Sequence, residues 1–252
     1  MFLDVLATLP PQSDFFGTII YIVQSYYKII LYGLGVTILL SVVGTLGGFI
    51  LAMGVTQARV VVIDAKRDRL FVKIYKAVFR QLAIIYVTVF RGTPMIVQAM
   101  IIYYGIATTG MFSWWGPLPA GLIIVTVNTT AYISEVLRGG LQAVDPGQME
   151  AARTLGMSHR QAMRKVMWPQ AIKNALPGVG NEFVVNLKDT AVLSVISVVD
   201  LFYSVRQGAS ATYRYYESFM IAAILYLILT YLSSKVVDYL SKRLDTTAEV
   251  NA

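Results

Sequence analysis

Long apolar runs separated by short polar segments dominate the chain. Five of them approach or exceed the roughly 20 residues that a helix needs to cross a hydrocarbon layer. They lie at about 26–56, 81–107, 117–137, 171–201 and 218–240. Only a helix or a closed barrel satisfies every backbone N–H and C=O inside a bilayer, and runs this long and this continuously apolar are helical. The pattern therefore predicts an all-α integral membrane protein of about five transmembrane helices. It is read as one membrane domain over 1–252 with its core at about 26–243.

The polar segments between the runs give an orientation. The loop 57–80 holds Arg59, Lys66, Arg67, Arg69, Lys73, Lys76 and Arg80 against Asp64 and Asp68. Segment 138–170 adds Arg138, Arg153, Arg160, Arg164 and Lys165, and the tail adds Lys242 and Arg243. The other side receives Lys28, Arg206 and Arg214. Lys and Arg accumulate on the cytoplasmic side, so the N-terminus is expected outside and the C-terminus in the cytoplasm. Trp114 and Trp115, with Tyr213, Tyr215 and Tyr216, read as aromatics at the outer interface. Gly33, Gly35, Gly44, Gly47, Gly48 and Gly54 crowd the first run, where small residues let helices pack closely.

Composition narrows the chemistry. With 56% apolar and 14% charged residues, the chain lies outside the range of soluble domains. It has no cysteine and one histidine, His159, so no catalytic residue, metal site or cofactor is expected. The net charge of +7 follows the loops rather than one patch, which favours membrane lipid over nucleic acid as a partner. Residues 1–9 carry Asp4 and no basic cluster, unlike a cleaved signal peptide.

The segment 145–170 is the most informative. Asp145 before Pro146 suits a helix N-cap, Leu155-Gly156 suits a C-terminal turn, and Ser158 suits a second cap. A short amphipathic helix from Ser158 to Met167, interrupted by Pro169, is expected to follow. Helix, bend and helix would then lie on the cytoplasmic face.

These residues resemble the EAA loop of ABC importer permeases: Glu150, Ala151, Ala152, Gly156 and Pro169 fall in that order and spacing. Trp168 stands where the family usually has Leu. Further segments are similar to the polar amino acid branch, namely Phe90-Arg91-Gly92-Thr93-Pro94, Ser134-Glu135-Val136-Leu137-Arg138-Gly139-Gly140, Gly180-Asn181-Glu182 and Leu187-Lys188-Asp189-Thr190. The resemblance covers about 30–240. It implies a type I importer permease fold and a role as the permease subunit of an ATP-driven importer for polar amino acids.

It also implies partners: an ATP-binding cassette ATPase dimer, a second permease copy or a homologous permease, and an extracytoplasmic substrate-binding protein. Glu150, Ala151, Ala152, Arg153, Leu155 and Gly156 would form the helix that engages the ATPase. No Lys is followed by Ser or Thr, so the chain lacks a phosphate loop of its own. An ion-gradient-driven secondary transporter is the alternative, although no internal repeat of the kind such folds carry is visible.

Charged residues inside spans are costly, so they pair or line a watery path. Asn181 and Lys188 are seven apart, as are Glu182 and Asp189, which puts each pair on one helix face about 10 Å apart. Asn181, Glu182, Asp189, Lys188 and Arg91 are the candidate substrate-path residues. For Lys188 and Asp189, interhelical ion pairs or snorkelling toward an interface are equally open. Arg91, beside Gly92 and Pro94, is read first as a kink paired with Glu135 or Asp189, and second as a carboxylate ligand. Glu135 and Arg138, three apart, can pair with each other.

Overall fold

In the computed structural model of the chain, residues 10–11, 13–64 and 68–250 are described, with side chains as far as Arg243. The readings placed on residues 1–9 and on Lys66 and Arg67 fall outside them. All regular structure among the described residues is helical. The order is α1 (Phe15–Val60), α2 (Leu70–Gly92), α3 (Met95–Ala107), α4 (Pro117–Gln142), α5 (Pro146–Thr154) and α6 (His159–Ala162), then a π-helical turn (Met163–Met167). There follow α7 (Trp168–Asp189), a 3-10 turn (Thr190–Ile196), α8 (Leu201–Thr212) and α9 (Tyr215–Val250).

By length and composition three helices can cross a membrane: α1, α4 and the Tyr215–Arg243 part of α9. A fourth is reached if α2 and α3 count as one broken span. The remaining stretch, α7, is helical but too polar to pass the same test, because charged and amide side chains recur along it. α1 begins at Phe15 rather than near 26, since Asp14 caps it by accepting from the Gly17 N–H at 2.8 Å.

Two further boundaries depart from the sequence reading. Pro94 breaks the second span instead of kinking it: Thr93 is extended, as a residue before proline prefers, and α2 stops at Gly92. Pro169 does not interrupt the helix after Ser158. The preceding turn widens to π geometry, takes up the ring, and runs directly into α7. The segment expected as an outer loop contains α8, which Asp200 caps by accepting from the Tyr203 N–H at 2.9 Å.

The helices pack as two units. The first holds the described residues up to Val43, Met95–Val125 and Val184–Ser233. Its core gathers Val36, Leu40, Ile124, Leu193, Ile196 and Val198. Asp200 is fully buried there, and its second carboxylate oxygen accepts from the Tyr226 hydroxyl at 3.4 Å. The Leu201 N–H beside it donates to Thr37 Oγ1 at 3.1 Å, tying α8 to α1. Gly33 makes this approach possible, because a Cβ there would fall on the Ser204 hydroxyl and the Asp200 carbonyl.

The second unit holds Gly44–Pro94, Thr126–Phe183 and the residues from Ser234. Ala52, Ile133, Leu137 and Ala175 form its core, with Phe49, Ile172 and Trp168 packed around them. Thr56 Oγ1 donates to the Ser134 carbonyl at 3.0 Å, joining α1 to α4. A Cβ at Gly48 would press on Thr129, so α1 and α4 also meet through a small residue.

Replacing Gly33 with Leu should therefore destabilise the detergent-solubilised protein by about 1–3 kcal/mol, the usual cost of overpacking. Gly35→Ala, where nothing lies within 4 Å, should leave the thermal midpoint unchanged. Equal midpoints for the two variants would contradict the close approach.

Candidate functional site

The segment 145–170 builds its shape from local hydrogen bonds. Pro146 opens α5 without needing an N–H, and Asp145 accepts from the Gly147 N–H at 2.8 Å. At the other end the Gly156 N–H donates to the Arg153 carbonyl and the Met157 N–H to the Ala152 carbonyl, which is a Schellman closure. It requires the left-handed conformation that Gly156 adopts, with φ of +84°. Ser158 and Gln161 then exchange side-chain-to-backbone bonds in a capping box that starts α6.

One face of this loop is anchored and the other is free. Ala152 is buried, while Glu150, Ala151, Arg153 and Gly156 are exposed and Leu155 is 80% exposed. Val144, Met167 and Ala171 fix the loop to the ends of α4 and α7, joined by Leu141, Met149 and Met163. Trp168 keeps its place by packing into the same core and donating its indole N–H to Gln57 at 2.9 Å.

Along α7, Asn181, Lys188 and Asp189 are exposed and Glu182 is half-buried. Asn186 is buried between them. Among the described residues neither Lys188 nor Asp189 forms an ion pair with another helix. The helix thus offers donors and acceptors of both signs along its length.

Arg91 lies elsewhere. Its guanidinium sits 3.9 Å from Glu135 and over the ring of Tyr132 at 5.6 Å. Of the two acidic partners expected for it, Glu135 is the one found. Glu135 also accepts from Arg138 one turn on, with Nε at 2.8 Å, and from Arg59 at 2.7 Å. One carboxylate thereby gathers guanidiniums from α1, α2 and α4. The segment read as a loop over 57–80 is partly helical, since α1 runs to Val60 and α2 begins at Leu70; Lys76 on α2 bonds Asp68 at 2.6 Å and holds that carboxyl below its ordinary range.

The family described as binding-protein-dependent transport system inner membrane component matches residues 71–246, well over half of the chain. The chain belongs to this family. The permease is similar to the nopaline transport system permease protein NocM of Agrobacterium fabrum, 34% identical over 224 residues that cover 86% of this chain and 87% of the relative. It is also similar to the arginine transport system permease protein ArtQ of Bacillus subtilis, 34% identical over 214 residues, 82% of this chain and 90% of the relative. A crystal structure of an amino acid ABC transporter with histidines is 37% identical, with a TM-score of 0.76, over 87% of this chain and 95% of that one.

Family membership makes the permease an inner-membrane component and not itself a catalyst, as the resemblance implied. It gives the ion-gradient alternative no support. Two residues that organise this permease escaped the sequence reading. From sequence Arg59 reads as a loop charge, whereas α1 runs on to Val60 and places it in its last turn. Asp200 falls at the end of the fourth apolar run, yet Asp followed by Leu-Phe-Tyr-Ser is a capping signal.

Glu135→Gln should leave three guanidiniums without their shared anion and lower stability by about 1–3 kcal/mol. The measurement is the thermal midpoint of the purified permease. Arg138→Gln, which leaves Arg59 and Arg91 on Glu135, should cost less.

Proposed function

We propose that this chain is the permease subunit of an ATP-driven importer for polar amino acids or related opines, and that it couples to a separate ATPase dimer through α5. The carrying observation is the loop around Gly156: a helix capped at both ends, anchored through Ala152, with Leu155 fully presented. Glu150, Ala151, Arg153, Leu155 and Gly156 form the face that enters a groove on the ATPase. Relatives named for nopaline and arginine transport support the substrate class. Both packing units serve as one permease domain, with the N-terminus outside and α5 in the cytoplasm.

The translocation path follows the polar face of α7. Each exposed charge facing lipid would cost on the order of 2.5–3.5 kcal/mol, so Lys188 and Asp189 face water, substrate or another copy. Asn181, Glu182 and Asp189 supply acceptors for a substrate ammonium, and Asn181 and Lys188 supply donors for its carboxylate. Arg91, already held by Glu135, is a structural group rather than a ligand of this path. The path is completed by a second copy or a homologous permease, and an extracytoplasmic binding protein delivers the substrate.

ATP-dependent uptake of labelled amino acids into vesicles, with the permease and its co-purified partners, tests the reading. Gly156→Asp should reduce uptake by roughly tenfold or more while membrane insertion is kept, the size expected for loss of a coupling of about 1–3 kcal/mol. Glu150→Ala should reduce it as well. Asp189→Asn should lower uptake while leaving basal ATP hydrolysis of the complex intact. Uptake that ignores ATP and follows an ion gradient would refute the assignment.

A further inference from the structure

The second unit holds a cavity of about 800 Å³ between the end of α1, the first turns of α2 and the α6 segment. Its lining includes Tyr75, Lys76, His159, Arg160, Arg164 and Trp168, with the valines at 60–62 as an apolar wall. We propose that this cavity seats the phosphate headgroup of an anionic phospholipid, with the acyl chains running along the apolar face of α2. The inference does not depend on which substrate the permease carries.

Lys76 is already engaged by Asp68 and by the Val62 carbonyl at 3.1 Å. Arg160 and Arg164 are exposed, four residues apart on one segment, and neither meets an acid among the described residues. The lining therefore carries two uncompensated guanidiniums. Their planar forks match phosphate oxygens, and they are less strongly hydrated than an ammonium.

The periodicity of α2 then selects the kind of anion. Arg69, Lys73, Lys76 and Arg80 follow one another at steps of four, three and four, so they share a face. Phe71, Tyr75, Val78, Leu82, Ile85 and Val89 share the opposite face, and all six are exposed. Beyond Arg80 the basic face changes to Ala83 and Val87, which are buried. Apart from Arg91, which Glu135 holds at 3.9 Å in the last turn, the cations of α2 thus occupy its first turns, while the apolar stripe continues to the end. This is the pattern of a helix that starts in the headgroup layer and descends into hydrocarbon. A soluble phosphate would leave the stripe and the valine wall unused, whereas a phospholipid fills both. Basic pockets of this kind at the ends of spans recognise anionic headgroups.

The test uses the whole transporter in nanodiscs of mixed phosphatidylglycerol and phosphatidylcholine, with bound lipid counted by native mass spectrometry after release. The native protein should retain phosphatidylglycerol in preference to phosphatidylcholine, and added inorganic phosphate should not displace it. Retention should fall about fivefold for each of Arg160→Gln and Arg164→Gln, while Arg160→Lys and Arg164→Lys keep most of it. If one glutamine variant fails to assemble, the other carries the comparison. Equal retention of the two lipids, or retention unchanged in the glutamine variants, overturns the proposal. Displacement by phosphate would assign the cavity to a soluble anion. Loss of the ATPase from the glutamine variants with lipid retention unchanged would assign it to a partner protein.

Discussion

Hydrocarbon offers a backbone amide or a side-chain hydroxyl no hydrogen-bond partner, and the architecture of this permease is organised around that deficit. Hydroxyls turn back on their own helices: Ser41 donates to the Thr37 carbonyl and Thr130 to the Thr126 carbonyl. Where a helix begins in the protein interior, the loose groups are collected locally. Asp200 and Thr37 take the first amides of α8, Tyr226 donates to the second carboxylate oxygen of Asp200, and Ser204 donates to the Asp200 backbone carbonyl. A buried carboxylate is tolerable there because each of its oxygens has a donor.

Glu135 answers the same constraint for cations. Arg59, Arg91 and Arg138 come from three helices, and a single acid accepts contacts from all of them. Three positive groups converging without it would repel one another. With it, the ends of α1 and α4 and the last turn of α2 are held in register by one side chain. The Arg91 contact also explains how α2 can terminate against a proline without losing its place, since Tyr132 and Glu135 hold the guanidinium of its last turn.

The parts of the fold that were legible in the sequence are those written in adjacent residues. Asp145, Pro146, Gly156 and Ser158 announced caps and a turn, and each does what its chemistry requires. The apolar runs announced α1, α4 and α9. What was not legible depends on distant partners. Arg59 reveals nothing until α4 brings Glu135 beside it, and the close approach at Gly33 needs α8, whose Ser, Arg, Gln and Gly content disguises a helix as a loop. Pro169 misled because the rule for proline in a helix assumes α geometry throughout, and a π turn changes the ring's neighbour. Pro94 misled less: a disturbance was expected, and the size of it depended on Thr93 taking the extended form.

The closed ends of α5 have a mechanical consequence. A helix of nine residues is roughly 13 Å long, shorter than any length over which a helix bends appreciably. Its amides are tied off by Asp145 and its carbonyls by the turn at Gly156, so neither end can fray and absorb motion. Below it, Val144, Met167 and Ala171 clamp the same loop to two longer rods. On the coupling role proposed above, a push delivered at Leu155 would have no slack to consume before it reached α4 and α7. The loop would then work as a strut, its stiffness residing in hydrogen bonds that never touch the load.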